Sequence, residues 1–115
     1  MEKYRVERDG QTDLQFTGVC LADASNRAVD GPASNRWTEI RIYRTEAGRY
    51  VTSVVGVSCW QGETNRYTAD VCDNAADVVI ALEQDGWLSG VAKDVLAQAA
   101  QTDDAFRDVI VETVE

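Results

Sequence analysis

The apolar side chains of this chain keep one period up to Cys72 and another after it. In the first stretch they alternate in twos, as one face of a strand does. From Asn74 onward they recur at spacings of three and four, as one stripe of a helix does. One such switch points to an α+β domain: an antiparallel β-sheet of about four to six strands, with about two to three C-terminal α-helices packed on one face. The chain has 115 residues and is 44% hydrophobic, which suits a single domain, residues 1–115, with a packed core. Residues 1–72 are its mainly β part and residues 73–115 its mainly helical part.

Tyr4 and Val6 open a short alternating stretch that ends in the turn Asp9-Gly10-Gln11-Thr12. In Asp13 to Ala22, Leu14, Phe16 and Cys20 fall on one parity, with Gly18 between them, and Gln15 and Thr17 on the other. That predicts a strand with one buried face. Residues 23–35 hold the only proline and many small turn-formers and read as a loop. Loops of that length are mobile or functional. Arg36 to Glu46 and Tyr50 to Trp60 read as a hairpin closed by Ala47-Gly48. Ile40 and Ile42 share one face of its first strand. Val51, Val55, Val57 and Cys59 share the apolar parity of its second. Joining the two sets turns Ile40, Ile42, Val51, Val55 and Val57 toward the helices and leaves Trp37, Tyr43, Tyr50 and Trp60 on the other side. Arg66 to Val71 adds a further strand after the turn at Gln61 to Asn65.

Asn74 suits a helix N-cap, and Asp77 completes a capping-box-like pair at the positive end of the helix dipole. Ala75, Val78, Val79 and Leu82 then line one face, and Gly86 suits the C′ stop. Leu88, Val91, Ala92, Val95, Leu96 and Ala99 form a second stripe that Ser89 could cap. Thr102 begins a short third turn with Asp103 and Asp104 in its first positions. The last run, Val109 to Val114, is rich in β-branched residues and predicts a closing strand.

Charge divides as sharply as period. Residues 1–66 hold nine acidic and nine basic side chains, whereas residues 67–115 hold eleven acidic ones and only Lys93 and Arg107. The whole formal charge of −9 therefore sits in the last part of the chain. Histidine is absent, which excludes Ser-His-Asp and Cys-His catalysis and imidazole metal ligands. No glycine-rich phosphate loop occurs. Cys20, Cys59 and Cys72 lack C-x-x-C spacing and supply a zinc site poorly without histidine. They read as buried thiols in a reducing compartment, with one disulfide or an intermolecular one as alternatives. No metal or cofactor is expected. There is no basic-then-apolar leader, and the longest apolar run, Val78 to Leu82, is too short to span a bilayer. A cytoplasmic protein without membrane contact is the expectation.

Two surfaces are candidates for function. The first is the aromatic face of the hairpin, where Trp37, Tyr43, Tyr50 and Trp60 alternate with Arg41. Protein interfaces enrich these residue types, and single-strand nucleic-acid readers use them to stack bases. The missing basic surface argues against direct nucleic-acid binding. Cover by the loop or by a second copy, giving a homodimer, are the other readings of this face. The second surface is acidic: Asp73, Asp77, Glu83, Asp85, Asp94, Asp103, Asp104 and Asp108. Such a face either solvates the domain or docks on a basic protein groove that otherwise holds nucleic acid. Asp103, Asp104 and Asp108 lack EF-hand spacing for Ca²⁺. Enzyme chemistry would need a carboxylate pair such as Glu39 or Glu63 near Asp70, or an activated Cys59, and neither carries weight. No catalytic residue is assigned.

The stretch Arg36-Trp37-Thr38-Glu39-Ile40-Arg41-Ile42-Tyr43-Arg44-Thr45-Glu46-Ala47-Gly48-Arg49-Tyr50-Val51, with Phe16-Thr17-Gly18-Val19-Cys20-Leu21-Ala22 before it, resembles small orphan proteins of bacterial plasmids and integrative elements, the EXLDI-like group. The likeness covers about residues 14–72. It implies a mobile-element origin and carries no activity with it. Small acidic proteins from such elements and from phages often inhibit host defence, anti-CRISPR proteins among them. The reading is thus a non-enzymatic interaction module that binds and blocks a host nucleic-acid-handling protein. The alternatives are a homo-oligomeric accessory protein and a small-molecule binder.

Overall fold

The computed structural model describes residues 1–27 and 35–114. Five strands form one antiparallel sheet in chain order: β1 (Glu2–Val6), β2 (Leu14–Ser25), β3 (Arg36–Thr45), β4 (Tyr50–Ser58) and β5 (Arg66–Cys72). Two helices follow, α1 (Ala75–Leu82) and α2 (Gly90–Thr102), and then a single 3-10 turn, Asp104–Phe106. The fold is α+β.

Both helices begin where the cap chemistry directs. Asn74 is extended, and its side chain accepts a hydrogen bond from the Asp77 backbone N–H at 2.8 Å. Ser89 does the same for Ala92 at 3.2 Å. Gly86 is not the stop of α1. That helix ends four residues earlier, where the Glu83 N–H reaches the carbonyls of Val79 and Ile80. Asp85 (φ 54) and Gly86 (φ 75) instead form a tight turn that pairs Gln84 with Trp87 through two backbone hydrogen bonds, at 2.9 and 3.0 Å. Two consecutive positive φ values are what a two-residue Asp-Gly turn requires.

Register corrects the expected faces of the hairpin. Arg44 pairs with Tyr50, Ile42 with Thr52, and Ile40 with Val54. Paired residues share a face, so even-numbered residues of β3 meet even-numbered residues of β4. Val51, Val55 and Val57 therefore lie opposite Tyr43, Glu39 and Trp37, not beside Ile40 and Ile42. Tyr50 moves to the isoleucine face.

The same parity logic corrects β2. Cys20 pairs with Tyr43, but Ala22 pairs with Ile42, because a bulge interrupts the ladder between them. Phe16 and Cys20 therefore share the Tyr43 face, and Ala22 and Ala24 the isoleucine face. The strand buries two faces in succession where one was expected. It also runs three residues into the expected loop, since Asp23, Ala24 and Ser25 pair with Arg41, Ile40 and Glu39. Most of the rest of that loop, residues 28–34, lies outside the described residues.

Each face has its own core. The larger one joins Ala22, Ala24, Ile40, Ile42, Tyr50 and Cys72 of the sheet with Ala75, Val78 and Leu82 of α1, Val91, Val95 and Ala99 of α2, and Phe106. The smaller joins Val6, Tyr43, Val51 and Ala69, with Tyr4, Leu14 and Phe16 against them. The sheet curls around this second cluster. The Asp9 N–H donates to the Tyr67 carbonyl at 2.9 Å, and the Tyr67 N–H donates back to the Asp9 carboxylate at 3.0 Å. The turn after β1 thus reaches β5, four strands away in the sheet.

The closing strand expected at Val109 to Val114 is not formed. Val109 packs on the larger core, while Val111 and Val114 are exposed. β-Branched residues make a strand only where an edge offers partners and a surface to pack on, and this segment pairs with none of the described strands.

Candidate functional site

The aromatic residues of the hairpin do not gather into one exposed face. Trp37, Tyr43 and Tyr50 are each at most 8% exposed. Trp37 lies beneath the Arg27 guanidinium, 4.2 Å from its ring centre, and its indole N–H donates to Glu39 at 2.7 Å. Tyr43 packs on Tyr4 and Phe16 with ring centres 4.7 and 5.2 Å apart. Tyr50 sits on the opposite side of the sheet, edge-on to Phe106 at 5.1 Å. Only Trp60, in the turn before β5, and Arg41, paired with Asp23 at 3.3 Å, remain exposed.

Tyr50 also anchors one of the acidic residues. Its hydroxyl donates to Asp103 at 2.8 Å, and the Arg44 guanidinium lies 3.4 Å from the same carboxylate oxygen. The second oxygen of Asp103 accepts from the Ala105 N–H at 3.0 Å and caps the 3-10 turn. Burial, followed by the hydrogen bond to the Asp103 carboxylate, pushes the Tyr50 hydroxyl up to about 12. Asp103, buried and fully engaged, is a structural tie between sheet and turn and not part of the acidic surface.

Other members of the acidic set are on the outside. Asp73 pairs with Arg49 at 3.0 Å and Asp104 with Arg107 at 3.2 Å, both exposed. Exposed pairs of this kind hold little free energy. Asp77 stands in the first turn of α1, Glu83 and Asp85 in the connection that follows, Asp94 on α2, and Asp108 past the 3-10 turn. Among the described residues, none of these five is in an ion pair. No Lys or Arg occurs between Arg66 and Lys93, so α1 and its connection carry negative charge alone.

Two apolar side chains missed by the sequence reading lie in that acidic span. Ile80 on α1 is 65% exposed, and Trp87, after the Asp85-Gly86 turn, is 68% exposed. Both left a signal. Ile80 falls off the Ala75, Val78, Val79, Leu82 stripe, and Trp87 follows an Asp-Gly pair that forces a tight turn.

The candidates for chemistry are not assembled. Asp70 lies opposite Thr52 on the isoleucine face, whereas Glu39 lies opposite Val55 on the other. Glu63 is held below its usual range, first by the Arg36 guanidinium (2.9 Å) and then by the Ser58 hydroxyl (2.6 Å). Burial pushes the Cys72 thiol up to about 11, with Asp70, Asp77 and Asp73 adding to it, and burial also raises Cys20. Neither is held as a thiolate at neutral pH. All three cysteines are free, and the expectation that all are buried fails: Cys20, beside the bulge, and Cys59, just past β4, are exposed, although the Cys20 thiol is partly covered and donates to the Ala22 carbonyl. Among the described residues, no three Cys, Asp or Glu side chains cluster as a metal site. No helix among them is long and apolar enough to cross a membrane. No protein-family model, curated protein or solved structure matches the chain.

Proposed function

We propose that this protein is a non-enzymatic interaction module that binds a basic surface of another protein through its acidic C-terminal half. In this reading α1 and α2 together cover the isoleucine face of the sheet, and their outer side meets the partner. One observation carries the reading: the span between Arg66 and Lys93 carries only negative charge and exposes Ile80 and Trp87 within it. Charge of one sign steers a partner of the other, and exposed apolar side chains hold it once docked. The sequence resemblance to proteins of plasmids and integrative elements supports a mobile-element setting in the cytoplasm. A host nucleic-acid-handling protein, whose own groove is basic, is then the target, as for an anti-CRISPR inhibitor. The raised thiols of Cys20 and Cys72 and the separated carboxylates support a role without catalysis.

The test is a pull-down from bacterial lysate at low salt, eluted with a salt step. A basic nucleic-acid-handling protein should elute, and the combined Asp77→Lys, Glu83→Lys and Asp104→Lys variant should not retain it. Asp103 is left intact, because reversing its charge would unfold the tie to Tyr50. Capture that survives both high salt and charge reversal, or recovery of the bait alone, overturns the proposal.

A further inference from the structure

A cavity of about 180 Å³ opens between the sheet and the connection that joins the two helices. Its lining is mixed. Ile40 and Val54 of the sheet, Leu82 at the end of α1 and Val91 at the start of α2 form an apolar part with Trp87. Thr38, Thr68, Gln84 and Ser89 form a polar part of similar extent. The tight turn at Asp85 and Gly86 fixes the backbone at Trp87, since Gln84 and Trp87 exchange two backbone hydrogen bonds. A tryptophan that is 68% exposed beside a hollow with an apolar part leaves its burial incomplete in the isolated chain.

We infer that this cavity is an anchor site for one large apolar side chain carried on a Lys/Arg-rich segment of a partner protein, an inference that rests on the interaction reading above and locates it. Shape and charge point to the same occupant. The apolar part of the hollow suits an aliphatic or aromatic group, and the exposed Trp87 stands among its lining residues. Glu83 and Asp85 flank Gln84 in the chain, Asp77 lies one helical turn before Ile80, and no cation occurs on this span. An acidic or neutral segment gains nothing from these carboxylates, whereas basic residues on either side of the anchor meet them. Interfaces concentrate their energy in such central pockets with a charged rim around them.

The experiment uses the intact protein, isotope-labelled, and two synthetic amphipathic peptides, one built from Lys and Leu and one from Glu and Leu. The Lys/Leu peptide should shift the Trp87 indole N–H and the amides of Gln84 and Val91 in nuclear magnetic resonance spectra, and the Glu/Leu peptide should not. Trp87→Ala should weaken binding roughly tenfold, and Glu83→Gln with Asp85→Asn should weaken it at low salt and remove most of its salt dependence. Asn is chosen at Asp85 because it tolerates the positive φ there. Shifts centred on Trp60 or elsewhere, equal binding of a Lys-only peptide, or unchanged affinity of Trp87→Ala overturn the inference. Failure here is separable from failure of the proposed function. A natural partner recovered from lysate that binds Trp87→Ala as tightly as the wild type leaves the acidic surface in place and removes only the anchor.

Discussion

The two faces of this sheet are buried in different ways. The face with Ile40, Ile42 and Tyr50 shares its core with both helices and Phe106. Among the described residues, the cluster on the face with Tyr43 and Val51 holds no helical residue, and the sheet curls around it with Tyr4, Phe16 and the Asp9 to Tyr67 link. One cluster draws on residues of the helices and the 3-10 turn as well as the sheet, the other on the curled sheet. It follows that alternation along β3 and β4 does not sort residues into inside and outside. Neither face is left as an aromatic platform, and most exposed apolar residues of the acidic part, Val71 on β5 apart, lie at the helices and beyond them.

The sharpest way to break this contrast is to truncate one large residue on each side. Phe106 is fully buried, and Phe106→Ala should cost about 3–5 kcal/mol. Tyr43→Ala should cost less, because its neighbours Tyr4 and Phe16 are only partly buried and can close over the gap. Urea denaturation of both variants decides the matter: if Tyr43→Ala costs as much as Phe106→Ala, the curled face is as tightly packed as the helical one. Asp103→Ala comes next, at about 2–4 kcal/mol, since it strands the Tyr50 hydroxyl and removes the cap of the 3-10 turn. Asp103→Asn should recover part of that loss, because an amide oxygen still accepts from Tyr50.

Gly18 tests the bulge side of the sheet. A Cβ there would collide with the Arg44 carbonyl oxygen, so Gly18→Ala should cost about 1–3 kcal/mol by overpacking. Thermal unfolding close to wild type would show that β2 and β3 can separate at this point. Alkaline pH then probes the larger core. Raised pKa values mean that the folded chain holds the Cys72 and Tyr50 protons more tightly than the unfolded chain does. Their contribution is complete below about pH 9 and is lost as pH rises through about 11 for Cys72 and about 12 for Tyr50. Tyrosinate absorbance followed beside circular dichroism should show the last tyrosine ionising only as the fold is lost, and Tyr50→Phe should remove that last step. Early ionisation of all four tyrosines would contradict the buried hydrogen bond.

Several elements were legible in the sequence because local chemistry sets them. The change of period after Cys72, the Asn74 and Ser89 caps and the apolar stripes of both helices need only neighbours along the chain. The faces of the strands were not legible, because parity is carried through turns and bulges. An even sum of paired residue numbers in the β3–β4 hairpin sends Tyr50 to the helices, and one extra residue near Cys20 exchanges the faces of β2. Neither number is written in the alternation itself. The same limit hid the candidate site. Tyr43 and Trp37 look like surface aromatics until the curl and Arg27 cover them, whereas Trp87 draws attention only once Asp85 and Gly86 are seen as a turn. The run after Val109 misled in the opposite direction, since strand propensity alone does not bring a segment to a sheet edge.

The smallest expected effect on stability belongs to the residue given the largest role in binding. Trp87 contributes little to the core, so Trp87→Ala should change unfolding free energy by no more than about 0.5 kcal/mol. Trp37, 8% exposed under Arg27, should show the reverse, a loss of about 3–5 kcal/mol with no direct effect on the basic peptide. The pair separates two explanations of an exposed tryptophan. If Trp87→Ala is as destabilising as Trp37→Ala, the indole is part of the fold's packing and its exposure carries no functional meaning. If stability holds while peptide binding falls, the side chain acts in binding, because an indole that adds nothing to folding and stands exposed beside the cavity then loses its exposure only to a ligand.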